Sequence, residues 1–483
     1  MRRISAHYKS AFTRIELFIA IAIIGIFTTV VPTRAQVPSN YTNANVDLET
    51  FGQYEPEAFT IITNPGEDAS TQMRIGWHTN EDVLGSYLTY TKRSDTTWAS
   101  AKTVPGEFEL ATAWNGITGI IRQNGVNNTV TQTANYHDYG VELSGLEPDT
   151  EYMYRVGKNV LSDVHYFRTA GADEFSFAWI SDFHAYNPLP RRLTAAMSMV
   201  DRLVTIDPGI GFVLSTGDKI AHGGTYLDWE QTFASTPFQK YMWVNVNGNH
   251  DNMDRTNSRN SRHYFRHAHN KPLNGYGNQM GVVYWFKYAN TLWFVLNTEE
   301  PSVEAEKAWM ADVIAKNPTQ YIFVVQHYQW FNGITGAASS SGFTRWGSFF
   351  DQMGVDMAFA GNDHIYVRTL PIYNGEVSID PTKGTVYIQA PSSCNERGRE
   401  MNQDLSRNAN LIAARWTEGA ATTGGIIVTV NKEGISVALY DRSGTQRDNA
   451  YIPARRPALE RDIPCTLRYN GNNLGVCAES LAL

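Results

Sequence analysis

The chain has 483 residues, a net charge of −8 and 42% hydrophobic side chains. That length exceeds one ordinary core and implies two or three domains, while 12 Trp and 25 Tyr exclude a disordered chain and the acidic balance argues against a nucleic-acid partner. Three cysteines exclude a disulfide scaffold or a thiolate zinc site; Cys394 stands alone, and Cys465 and Cys477 either bridge or remain thiols.

Residues 1–35 read as a targeting segment. Arg2, Arg3, Lys9 and Arg14 precede or open an almost wholly apolar run over 15–31, which at 17 residues is at the short end of what crosses a bilayer, about 17 to 25. Thr33-Arg34-Ala35 has the form of a signal-peptidase site, and Ala11-Phe12-Thr13 followed by Glu16 resembles a prepilin-type leader. Both readings export the chain, with N-terminal membrane association as one outcome. Residues 36–57, polar and carrying Pro38, read as a linker.

From 58 to 170 the pattern is β. Met73, Ile75 and Trp77 alternate with polar residues, as on a half-buried strand. The string Leu146-x-Pro148-x-Thr150-x-Tyr152-x-Tyr154-x-Val156 resembles fibronectin type III-like sandwiches, in which a corner tyrosine caps the chain with its hydroxyl; Tyr152 is the candidate. His78, His137 and His165 lie on or beside strands and read as structural histidines.

Beyond 171, strands alternate with helices in a β-α-β order through residue 440, and 441–483 reads as a tail. Short apolar runs lead into polar clusters: Asp182-x-His184, Gly217-Asp218, Gly248-Asn249-His250-Asp251, His327 and Gly361-Asn362-Asp363-His364. Such runs are strands buried on both faces, and ligands bind beyond the carboxyl ends of strands in open α/β sheets. Each cluster alone is commonplace. Their ordered recurrence at strand ends is not.

In that order the clusters resemble the calcineurin-like metallophosphoesterase superfamily and, with the preceding sandwich, bacterial relatives of purple acid phosphatases. The resemblance implies an all-β sandwich followed by a four-layer α/β domain over 172–440. It also implies an exported enzyme that hydrolyses small phosphate monoesters by attack of metal-bound hydroxide. Asp182, His184, Asp218 and His364 would hold one ion, and Asp218, Asn249, His327 and Asn362 a second, both drawn from Fe, Mn or Zn. His250 matches the histidine that is not a ligand and serves the leaving group, with Asp251 orienting it. Ala221 stands where purple acid phosphatases have their coloured tyrosine ligand, so a colourless enzyme with His184 in the vacated role is expected. Asn362 replaces a family histidine and offers only an amide oxygen. This opens two alternatives: a phosphodiesterase on nucleotides or surface polymers, or a non-catalytic binder of phosphorylated ligands. His222, Arg262 and Arg266 are candidate substrate contacts near the Gly248–Asp251 cluster.

Overall fold

The computed structural model describes residues 57–456 except 116–121, 124–125, 128–131, 187–188, 253–261, 270–273, 278–280, 299–302, 332–340 and 402–408, together with the short strands Arg468–Tyr469 and Asn472–Asn473. The leader, the linker up to residue 56 and the Cys465/Cys477 pair lie outside the described residues.

The first domain is built from β1 (Ala58–Pro65), β2 (Met73–Asn80), β3 (Tyr87–Lys92), β4 (Lys102–Pro105), β5 (Glu107–Asn115), the short pair β6 (Arg122–Gln123) and β7 (Val126–Asn127), β8 (Gln132–Leu143), β9 (Glu151–Gly157) and β10 (His165–Arg168). They form two four-stranded sheets, ordered β1-β2-β8-β5 and β10-β9-β3-β4. Met73, Ile75 and Trp77 face inward, because alternate residues of a strand share a face. The hydroxyl of Tyr152 accepts the Glu147 N–H at 2.9 Å, the corner contact expected of it.

The second domain has two sheets. The six-stranded one is ordered β13 (Trp243–Asn245), β12 (Ile210–Ser215), β11 (Phe175–Ile180), β23 (Gly424–Val430), β24 (Gly434–Asp441), β25 (Gln446–Pro453). The seven-stranded one is ordered β14 (Tyr284–Tyr288), β15 (Thr291–Val295), β16 (Tyr321–Val325), β17 (Met357–Ala360), β21 (Val386–Gln389), β18 (Tyr366–Thr369), β22 (Ile412–Trp416), and β19 (Ile372–Tyr373) pairs with β20 (Glu376–Val377) beside it. Phe177 and Trp179 of β11 point toward the other sheet. The Phe177 ring is 5.1 Å from Trp293, and Trp179 is 5.2 Å from Phe359. Fully burying each such aromatic contributes about 1.5–3 kcal/mol. The intervening residues Ala178 and Ile180 face outward, onto α1 (Arg191–Ile206), α2 (Tyr226–Phe233) and α3 (Thr236–Lys240). On the far side, Phe294, Ile322 and Ala358 pack against α5 (Val303–Lys316) and α6 (Ser341–Met353). A further short helix, α4 (Arg262–Ala268), lies between the domains.

One boundary expectation needs correction. The stretch read as tail contains β25, which pairs antiparallel with β24, and Arg455 and Arg456 both bind the buried Asp356 at 2.7 and 2.6 Å. The ordered domain therefore runs past 440. β25 is an edge strand with mostly exposed side chains, so it carries no apolar run to announce it.

Candidate active site

Five strand ends converge. Asp182 and His184 follow β11, Asp218 follows β12, and Asn249 and His250 follow β13, three parallel neighbours in one sheet. His327 follows β16 and Asn362 and His364 follow β17, parallel neighbours in the other sheet. Two separate sheets thus aim their carboxyl ends at one place.

The turns that do this are unusual. Asp182, His184, Asp218, Asn362 and His364 all have positive φ, from 44° to 67°. Non-glycine residues avoid that region, and such strain gathers at functional sites. Gly248 is required by proximity, since a Cβ there would sit 2.3 Å from both the backbone N and Oδ1 of Asp218. Gly361 is required likewise, with Ser181 Oγ at 2.3 Å and Asp182 Oδ2 at 2.7 Å from the position of its Cβ.

A chain of buried donors holds Asp182. Trp179 Nε1 donates to Thr216 Oγ1 at 3.0 Å, Thr216 to Ser181 Oγ at 2.7 Å, and Ser181 to Asp182 Oδ2 at 2.5 Å. The Asn362 N–H adds bonds of 3.1 and 2.9 Å to the two carboxylate oxygens. Three histidines are fixed by backbone carbonyls: His327 Nδ1 on Thr216 at 2.7 Å, His250 Nδ1 on Ala221 at 2.9 Å, and His364 Nδ1 on Arg397. A carbonyl only accepts, so each Nδ1 carries the proton and Nε2 is the atom presented inward.

Those inward atoms crowd together. Ligand atoms of Asp182, His184, Asp218 and His364 lie within 4.8 Å of one another. His184 Nε2 is 3.3 Å from His364 Nε2 and 3.6 Å from Asp218 Oδ2, and His364 Nε2 is 3.4 Å from Asp182 Oδ1. On the other side of Asp218, His327 Nε2 is 3.3 Å from its Oδ1 and 3.1 Å from Asn249 Oδ1. His327 Nε2, when protonated, donates into this group of oxygens.

The titration behaviour says the same. Burial holds His184 well below the usual histidine range and brings His364 down to about 3, so both are neutral ligand-type imidazoles. Burial pushes Asp182 up to about 7, with neighbouring Asp218 adding to it. Burial also opposes charge on Asp218, but His327 and His184 hold its carboxyl well below the usual range. His327 is raised to about 9, because Asp218 and Asp182 outweigh the burial that opposes its charge. The carboxylates and imidazoles of Asp182, His184, Asp218 and His364 are a buried donor set that could hold a metal ion.

Other expected residues are placed differently. The side chain of Asn362 donates to Gln329 Oε1 at 2.6 Å, while its backbone N–H serves Asp182. Asp363 is buried beside Gln389, 3.2 Å away. Asp251 is held beneath the loop by Lys219 Nζ at 3.2 Å and by the N–H groups of Ile220 and Gly248 at 3.1 and 2.9 Å. It shapes the turn, and the orientation of His250 comes from Ala221. His222 stands edge-on to Tyr186, ring centroids 5.3 Å apart. Arg266 is committed to Asp138 at 3.0 Å and to Glu109, both in the sandwich, which takes it out of the substrate-contact set. Arg262 opens α4, and its side chain lies outside the described residues. Ser181, Lys219 and Gln329 were not anticipated. Ser181 and Gln329 each stand within two positions of a site residue, but Ser and Gln there carry no distinctive pattern.

Comparison with known proteins agrees with this geometry. Residues 160–366 match the family model for calcineurin-like phosphoesterase, and residues 59–169 match that for the purple acid phosphatase N-terminal domain. Over those residues the second domain is similar to the calcineurin-like phosphoesterases. Among solved structures, the chain is similar to the purple acid phosphatase PPD1 of yellow lupin (Lupinus luteus) seeds, with a TM-score of 0.65 and 14% identity over 82% of this chain and 74% of that one. It is also similar to PhoD, with a TM-score of 0.54 and 12% identity over 83% and 93%. No curated protein gives a significant sequence match. At these identities the structural likeness speaks for the fold.

Proposed function

We propose that this phosphoesterase is an exported enzyme that hydrolyses small phosphate monoesters with two ions of the Fe, Mn or Zn type. The observation that carries the reading is the placement of Asp218 between two donor groups, His184 on one oxygen and His327 on the other, at 3.6 and 3.3 Å. Asp182, His184, Asp218 and His364 would hold one ion; Asp218, Asn249 and His327 would hold the other. Such a pair, when bound, lowers the pKa of water and offsets charge on phosphoryl oxygens. The chain's own residues do the rest. The Trp179–Thr216–Ser181 relay and the Asn362 N–H fix Asp182, so the donors need no reorganisation when substrate arrives. His250, with Nδ1 anchored on Ala221, presents Nε2 beside Asp218 Oδ2 at 3.9 Å and, protonated there, gives its proton to the departing alkoxide. Export rests on the apolar run at 15–31 behind its basic residues.

The amide of Asn362, whose oxygen is a weaker donor than imidazole, favours a second reading, in which the second ion is weakly held and the domain binds phosphorylated ligands without turnover. The deciding experiment is metal content per chain measured with release of nitrophenol from mono- and bis-nitrophenyl phosphate. Turnover of the monoester with two ions supports the enzyme, preference for the bis-ester moves it to the diesterases, and phosphate binding without turnover selects the binder. Asp218→Asn abolishes turnover if that residue is shared between ions; a normal rate refutes it.

A further inference from the structure

A second convergence of ligand-type groups lies where the sandwich meets the phosphoesterase domain. His78 on β2 and Asp138 on β8 are direct cross-strand partners. Across from them, α4 ends and His269 follows it in a positive-φ conformation, φ 46°. Ligand atoms of the three side chains lie within 4.8 Å of one another. Asp138 Oδ1 is 3.4 Å from His269 Nδ1 and 3.7 Å from His78 Nε2. The Arg266 carbonyl, in the last turn of α4 where intrahelical donors run out, accepts a hydrogen bond from His78 Nε2 at 3.2 Å, and a bound ion would take the place of that proton.

These separations are informative. N–H···O bonds run to about 3.2 Å, so the 3.4 and 3.7 Å gaps are longer than hydrogen bonds. They resemble the edges of a coordination tetrahedron, about 3.3–3.4 Å when the bonds are about 2.0–2.1 Å. The other carboxylate oxygen, Asp138 Oδ2, takes Arg266 Nη1 at 3.0 Å, the kind of outer hydrogen bond that orients a ligating carboxylate. Room for the His269 ring is built into the sandwich. It lies over Gly76, two residues before His78 on the same face of β2, where a Cβ would come within 2.1 Å of the ring.

We infer that His78, Asp138, His269 and the Arg266 carbonyl form a four-coordinate site for a divalent transition ion of the zinc type, which pins the sandwich to the phosphoesterase domain. His78, which reads from sequence as structural, is on this geometry a ligand, and His269 supplies the second imidazole from the other domain. The site is separate from the catalytic cluster and does not rest on the proposed activity.

The test uses the full chain carrying Asp182→Asn and Asp218→Asn, so that the catalytic cluster is disabled. Stripped with chelator and loaded with Co²⁺ alone, it shows the visible bands of a four-coordinate ion at one equivalent per chain. Zn²⁺ displaces these bands and raises the thermal midpoint. Adding His269→Gln, or separately Asp138→Asn, removes both the bands and the midpoint shift. Absence of any Co²⁺ band in the parent overturns the site without reference to whether the further variants fold. Persistence of the band in the folded His269→Gln chain overturns it equally, because the ion then sits elsewhere.

Discussion

Lys219 and Asp251 make a wholly buried ion pair beneath the Gly248–Asp251 turn, and the cost of breaking it follows from its surroundings. Asp251 accepts three bonds, from Lys219 Nζ and from the Ile220 and Gly248 N–H groups. Lys219 also donates to the Val246 carbonyl at 2.7 Å and lies 5.1 Å from the Tyr264 ring centroid. Lys219→Met leaves a buried carboxylate without its cation, at a cost of about 3–5 kcal/mol. With a urea slope of about 3 kcal/mol per molar, the midpoint of the domain falls by about 1–1.7 M. Lys219→Met/Asp251→Asn removes both charges, so the double variant loses less than the sum of the singles and recovers part of the Lys219→Met loss. The assay is urea unfolding of all four chains, followed by fluorescence, with monoester turnover measured in parallel. A Lys219→Met cost below about 1 kcal/mol refutes the buried-pair account. An Asp251→Asn chain of unchanged midpoint that has lost turnover refutes the assignment of Asp251 to the turn and returns it to His250.

If His250 serves the leaving group as proposed, His250→Ala slows monoester turnover by about 10²–10⁴ with metal content unchanged; metal loss by elemental analysis would make it a ligand. Asn362→His raises the metal retained after dialysis, because imidazole binds Zn or Fe(II) better than an amide oxygen; unchanged retention would show that this position does not limit the second ion. His165, stacked on Tyr154 with its Nδ1 at 3.3 Å from the Gln239 carbonyl, is held below the usual histidine range by burial. The unfolded chain therefore binds the proton first: the stability His165 contributes is present above about pH 6.5 and is lost as pH falls below it. His165→Gln flattens the thermal midpoint against pH in that window, and an undiminished slope counts against the assignment.

The site was legible in the sequence because strands buried on both faces leave unbroken apolar runs, and the residue that ends each run is the one delivered to the sheet edge. Asp182, Asp218 and His327 could be found that way. Side-chain direction within a tight turn was not legible. Asp251 adjoins His250 in sequence, yet the turn sends it below the loop to Lys219. Asn362 stands at a ligand position, and the bond from its Nδ2 to Gln329 Oε1 could not be read from sequence. Arg266 looked like a phosphate contact because it is basic and near the cluster, and only the docking of α4 on the sandwich reveals Asp138 and Glu109 as its partners. β25 escaped notice because an edge strand with one row of half-buried side chains resembles a polar tail.

The left-handed torsions at Asp182, His184, Asp218, Asn362 and His364 set a hazard for anyone engineering this protein. Each costs about 1–2 kcal/mol relative to relaxed backbone. Glycine at any of them would recover part of that cost and delete a donor side chain in the same stroke. A screen that rewards melting temperature alone would therefore promote substitutions that empty the centre, and would report its most disabled variants as improvements.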